Sequence, residues 1–130
     1  MTPDTAHTVE TVRALIADNN DAEAERACAK FLRARPAGTE ACLVEGLLLT
    51  IKGRPNEAIT AYEKALSLAP DALPAYMGIA EILAEKGWLQ SAVVVMENAR
   101  AATRFTPPAK TLLEKLQSLV AASTPRGTSP

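Results

Sequence analysis

Ala24, Ala58 and Ala92 stand 34 residues apart, and the residues around them keep the same interval. Cys28, Tyr62 and Met96 follow four positions later, and Phe31, Ala65 and Ala99 follow seven later. Asn19, Gly53 and Gly87 come five positions before, and Glu23 and Glu57 directly precede the first two alanines. Pro36 and Pro70 stand twelve positions after the first two, where the third copy has Arg104. A chain that repeats at a fixed period stacks one small unit on itself, and each unit buries its apolar face against its neighbours.

The periodicity inside each unit is helical. Cys42, Leu43, Gly46, Leu47, Leu49 and Ile51 place apolar or small residues at three- and four-residue steps, and Ala58, Ile59, Tyr62, Ala65, Leu66 and Leu68 do so again. Between the two runs, Gly53-Arg54-Pro55-Asn56 supplies a turn, with a glycine to end one helix and a proline to open the next. The third unit runs Leu73 to Glu85 and Leu89 to Ala102, and the first runs from about Thr5 to Ala17 and from Asp21 to Arg35. Gly46 and Ala80, with the Ala24, Ala58 and Ala92 series, mark close approaches of helices, with Cys28, Tyr62 and Met96 as the knobs between them. Phe31 puts a ring where the other copies have alanine, so the first unit is expected to pack differently.

A 34-residue helix-turn-helix unit with these residues in phase resembles the tetratricopeptide repeat. The resemblance implies an all-α fold, a right-handed superhelix of antiparallel helix pairs with about seven helices. The expected divisions are a flexible N-terminus over 1–4, repeats over 5–38, 39–72 and 73–106, a capping helix over 107–122 and a disordered tail over 123–130. The cap carries Leu112, Leu113, Leu116, Leu119 and Val120 on one face, and a solenoid needs one because its last repeat otherwise exposes an apolar side.

Fourteen basic against fifteen acidic residues leave a net charge of −1, which provides no field to attract nucleic acid or an anionic membrane. No apolar run approaches the roughly 18–20 residues that cross a bilayer, and Met1 to Glu10 lack the basic start and apolar stretch of a leader, so a soluble cytoplasmic protein without membrane insertion is expected. His7 is the single histidine, which leaves no partner set for a nucleophile or a metal, and no enzyme activity, metal or cofactor is expected. Glu81 and Glu85 stand one helical turn apart as two catalytic carboxylates could, but read as a solvated face. Cys28 and Cys42 fall on apolar helical faces and are expected as two buried thiols rather than a disulfide or a ligand pair.

In proteins of this family the first helix of each repeat lines the concave side, and partner peptides or helices lie there. Mapped by phase, the groove residues are Val9, Arg13 and Ile16; Glu40, Leu43, Leu47, Thr50 and Ile51; and Met77, Glu81, Ala84 and Glu85. The carboxylate-clamp positions of chaperone-binding relatives fall on Val9, Arg13, Val44, Pro74 and Gly78, of which only Arg13 is basic, so that mode is not expected. The implied partner is another protein, contributing an apolar peptide or amphipathic helix with a basic flank toward Glu81 and Glu85, to an adaptor or small chaperone such as those of bacterial secretion systems. A charge at Leu47 is expected to abolish capture without loss of helicity. Two alternatives stay open: a self-associating scaffold, hence a possible homo-oligomer, and a groove closed by the chain's own N-terminal segment or by helix packing. Trp88 reads either as packing over Leu89 or as an exposed anchor.

Overall fold

The computed structural model describes residues 3–123, with side chains from Thr8 onward, and contains seven helices. They are α1 (Pro3–Ala17), α2 (Asp21–Ala34), α3 (Thr39–Ile51), α4 (Pro55–Leu68), α5 (Leu73–Glu85), α6 (Leu89–Ala102) and α7 (Pro107–Ser123). No strand occurs among the described residues. Residues 124–130 of the expected tail, and residues 1–2, lie outside them, while Ser123, expected to begin the tail, ends α7. Residues 3–4, expected as flexible, are the first turn of α1, where proline is tolerated because the N–H it lacks has no intrahelical acceptor.

The three turns inside the helix pairs repeat one geometry. Asn19, Gly53 and Gly87, at 34-residue intervals, have φ of 61°, 72° and 84°. In each turn the next amide reaches back five residues: Asn20 N–H to the Leu15 carbonyl, Arg54 to Leu49 and Trp88 to Leu83, at 2.8–2.9 Å. This is the Schellman closure, which satisfies a carbonyl that the helix end leaves open and needs a left-handed residue just past it. Glycine supplies that conformation without strain at two of the turns and asparagine supplies it at the third. Asn19→Gly is therefore expected to raise stability by about 0.5 kcal/mol, read as a higher urea midpoint; a lower midpoint contradicts strain at this turn.

Each helix packs on the next in sequence, and α1, α3, α5 and α7 also pack on one another in order. The α2, α4 and α6 helices make no such contacts among themselves. One row of helices is thus close-packed and the other splayed, which curves the stack with α1, α3, α5 and α7 on the inside.

Two apolar clusters hold the stack. The first joins α1 to α5 through Val9, Val12, Ala24, Cys28, Leu43, Val44, Leu47, Ala58, Tyr62, Ala65, Ala75, Ile79 and Ile82. The second seats Ala109, Leu113 and Leu116 of α7 on Ala80, Ala92 and Met96. The alanine series at 24, 58 and 92 is fully buried, consistent with small side chains that let helix axes approach. Phe31 is half-buried against the first cluster, whereas its phase equivalents Ala65 and Ala99 have no exposure.

The thiols divide. Cys28 is buried and its pKa is pushed up to about 11 by burial and by Glu25. Cys42, expected buried, is only half-buried, because its place on α3 lies at the margin of the first cluster, and burial and Glu45 raise its pKa, with Lys64 opposing. Both are free.

Candidate functional site

A cleft of about 400 Å³ opens on the inner row between α1, α3 and α5. Its walls are Arg13, Ala14, Ile16 and Ala17 on one side and Gly78, Glu81, Ile82 and Glu85 on the other, with Leu47 and Thr50 between them. All these residues except Gly78 belong to the last two turns of their helices, so three helix C-termini converge on the mouth. Tyr62 reaches the cleft from α4.

The tyrosine gets there because two glycines let it pass. A Cβ built on Gly46 would stand 2.6 Å from Cε1 of the Tyr62 ring, and one on Gly78 would stand 2.6 Å from Cε2. Gly46 and Gly78 therefore clasp opposite edges of one ring. Thr50, which lines the cleft with the ring, donates its hydroxyl to the Gly46 carbonyl at 2.8 Å. Burial holds the phenol well above its usual pKa range, so it stays neutral.

Across the mouth, the Arg13 guanidinium donates to Glu81 Oε1 at 2.9 Å. The α1 and α5 helices do not otherwise pack together, so this ion pair spans the cleft from wall to wall. It is partly exposed, at 25% for Arg13 and 45% for Glu81, which keeps its contribution modest and reversible. Glu85, one turn further along α5, is exposed and makes no ion pair among the described residues.

The structure gathers Arg13, Ile16, Leu47, Thr50, Glu81 and Glu85 at the cleft. The other six residues mapped to the groove lie elsewhere. Val9 and Leu43 are buried in the first cluster and Ile51 packs against it, while Met77 and Ala84 pack against the second. The phase-equivalent row Val9, Leu43 and Met77 is taken up in packing, and the next turn, Arg13, Leu47 and Glu81, lines the cleft with Leu47 as its buried floor. Glu40 sits in the first turn of α3, at the opposite end from the cleft. Two mapped clamp positions are closed as well: Val44 has no exposure and Gly78 lies under the Tyr62 ring.

Ala14, Ala17, Tyr62, Gly78 and Ile82 line the cleft without having been mapped to it. The signal for Gly78 was present in the chain, since a glycine two residues before Ala80 breaks the phase set by Gly46. Trp88 is 57% exposed at the start of α6. Lys86 lies 5.3 Å from its ring centroid and also donates to Asn56 Oδ1 at 2.8 Å, tying this turn to the start of α4.

Among the described residues, no three His, Cys, Asp or Glu side chains come together as a metal could require, and no helix is long and apolar enough to cross a membrane.

The family model for the tetratricopeptide repeat matches residues 49–116, more than half of the chain. The chain belongs to the tetratricopeptide repeat family. It is similar in fold to the Yersinia enterocolitica type III secretion translocator chaperone SycD, with a TM-score of 0.60 and 17% identity over 94% of this chain and 85% of that one. SycD in complex with a peptide of the translocator YopD matches with a TM-score of 0.59 and 16% identity, over 94% and 93%. The tetratricopeptide repeat domain of P58(IPK) matches with a TM-score of 0.62 and 20% identity, over 95% of this chain and 35% of that one. At these identities the likeness is one of fold. No curated protein matches the sequence.

Proposed function

We propose that this tetratricopeptide repeat chain is a non-catalytic interaction module that takes an apolar peptide or amphipathic helix of a partner protein into the cleft between α1, α3 and α5, as an adaptor or small chaperone. The observation that carries the reading is the cleft itself: a concave, mostly apolar surface of Ala14, Ile16 and Ala17 over the buried Leu47 and Ile82, with a few polar groups at its mouth. Such a surface gains roughly 25 cal/mol per Å² of apolar area covered, before the cost of ordering the guest. The similarity to SycD, one structure of which holds a peptide of YopD, supports a polypeptide as the guest and chaperoning as the role.

Leu47 is not the residue to test. At 5% exposure a glutamate there buries a charge in the first cluster and unfolds the repeat rather than blocking it, which corrects the expectation from sequence. Ala17 lines the cleft, is exposed and ends α1. Ala17→Trp fills the mouth without burying charge, and is expected to leave the circular dichroism spectrum and melting curve unchanged while removing partners captured by the wild-type chain. Retention of every captured protein by a folded Ala17→Trp chain overturns the groove reading.

A further inference from the structure

The charges at the cleft are unbalanced in a way that packing does not explain. Two carboxylates, Glu81 and Glu85, face one guanidinium, Arg13, and Arg13 pairs with Glu81 alone. The mouth is also where α1, α3 and α5 end, and helix C-termini carry partial negative charge that favours a cation. Lys52 and Lys86 cap α3 and α5, but the cation that reaches Glu81 comes from the opposite wall, and it spans an opening that a guest has to cross. An arginine in that position blocks the mouth while satisfying it.

We propose that Arg13 stands in for a basic side chain of the partner: it holds Glu81 in the free protein, and a guest enters by placing its own arginine or lysine between Glu81 and Glu85, releasing Arg13. This rests on the groove reading above and adds the gate and the charge of the guest. A guest carboxylate is the wrong key. It could draw Arg13 away, but it would leave both glutamates unpaired beside a third negative group, against three helix C-termini. A cationic guest leaves Glu81 paired, gives Glu85 a partner for the first time, and frees Arg13 to solvent on an exposed wall. The pair is weak enough to exchange, since both of its side chains reach water.

The consequence is an inverted mutational signature: removing a residue of the site strengthens binding. The test uses the full chain and two synthetic peptides that share one leucine-rich amphipathic face, one ending in two arginines and the other in two glutamates, with affinities measured by calorimetry. The arginine peptide is expected to bind the wild type at least about tenfold tighter than the glutamate peptide. Arg13→Met, which keeps the apolar stem, is expected to tighten the arginine peptide by about fivefold or more, because a self-occupied site lowers apparent affinity by its free fraction. The Glu81→Gln and Glu85→Gln pair is expected to weaken it by about tenfold. Unchanged or weaker binding to Arg13→Met overturns the gate. Equal binding of both peptides, each blocked by Ala17→Trp, overturns the proposal and leaves the groove reading standing. Failure of both peptides to bind either the wild type or Arg13→Met overturns the two together.

Discussion

Gly78→Ala is expected to destabilise the chain by about 1–3 kcal/mol, although glycine inside a helix is ordinarily worse than alanine by roughly 0.5–1 kcal/mol. The sign is reversed by one ring. The added methyl would lie 2.6 Å from Tyr62 Cε2 and 2.8 Å from its hydroxyl, closer than carbon and oxygen atoms pack. The ring has no retreat, because its other edge already rests on Gly46, where a Cβ would lie 2.6 Å from Cε1 and 2.8 Å from Cδ1. Swinging the ring out would also empty the space it fills in the first cluster, where it is 2% exposed. In a Tyr62→Leu background those ring atoms are gone, and Gly78→Ala is expected to become neutral or to stabilise by up to about 1 kcal/mol. A double-mutant cycle followed by urea denaturation decides it. Equal destabilisation in both backgrounds would place the cause outside the ring.

The same residues show what the chain made legible and what it did not. The 34-residue recurrence at Ala24, Ala58 and Ala92 is enough to recover the helical repeat fold, because a fully buried alanine at a helix crossing tolerates no larger substitute and so repeats with the architecture. The turns were readable for a similar reason: Asn19, Gly53 and Gly87 all sit at a left-handed position that few residues accept. The cleft was half legible. Phase says which side of a helix faces inward, but not how far along its length neighbouring helices stay in contact. That depends on curvature, and curvature is a property of the whole stack. Val9 and Leu43 have the same helical phase as the cleft-lining row of Arg13, Leu47 and Glu81, yet one turn earlier the space between the inner helices is filled by packing. Tyr62 was hidden for a different reason: it belongs to the outer row and reaches the cleft only through the gap left by two glycines, one of them out of phase. The Arg13–Glu81 pair joins positions 68 apart in sequence, and no local pattern announces such a pairing.

Removal of α7 is expected to have the largest effect on the fold. Truncation before Pro107 strips Ala109, Leu113 and Leu116 from Ala80, Ala92 and Met96, and the second cluster loses its outer half. Burying a leucine is worth roughly 1.5–3 kcal/mol, so two leucines at 2% exposure represent about 3–6 kcal/mol, a large fraction of the 5–15 kcal/mol typical of a whole domain. Met96, with no exposure in the intact chain, would face water beside Ala92 and Ala80, and the truncated surface would offer one apolar face to another. The expected result is a melting temperature lower by roughly 15 °C or more, with aggregation that grows with protein concentration. Leu116→Ala separates loss of packing from loss of chain: it keeps the helix, and its cost should be about 2–5 kcal/mol without the concentration dependence. A truncated chain that stays monomeric and melts within a few degrees of the intact one would mean that the α5–α6 pair closes the stack by itself. The second cluster argues against that, because its buried residues on α5 and α6 are two alanines and one methionine, and removing the α7 leucines uncovers them together with the half-buried Leu73, Met77, Leu89 and Val93 packed around them.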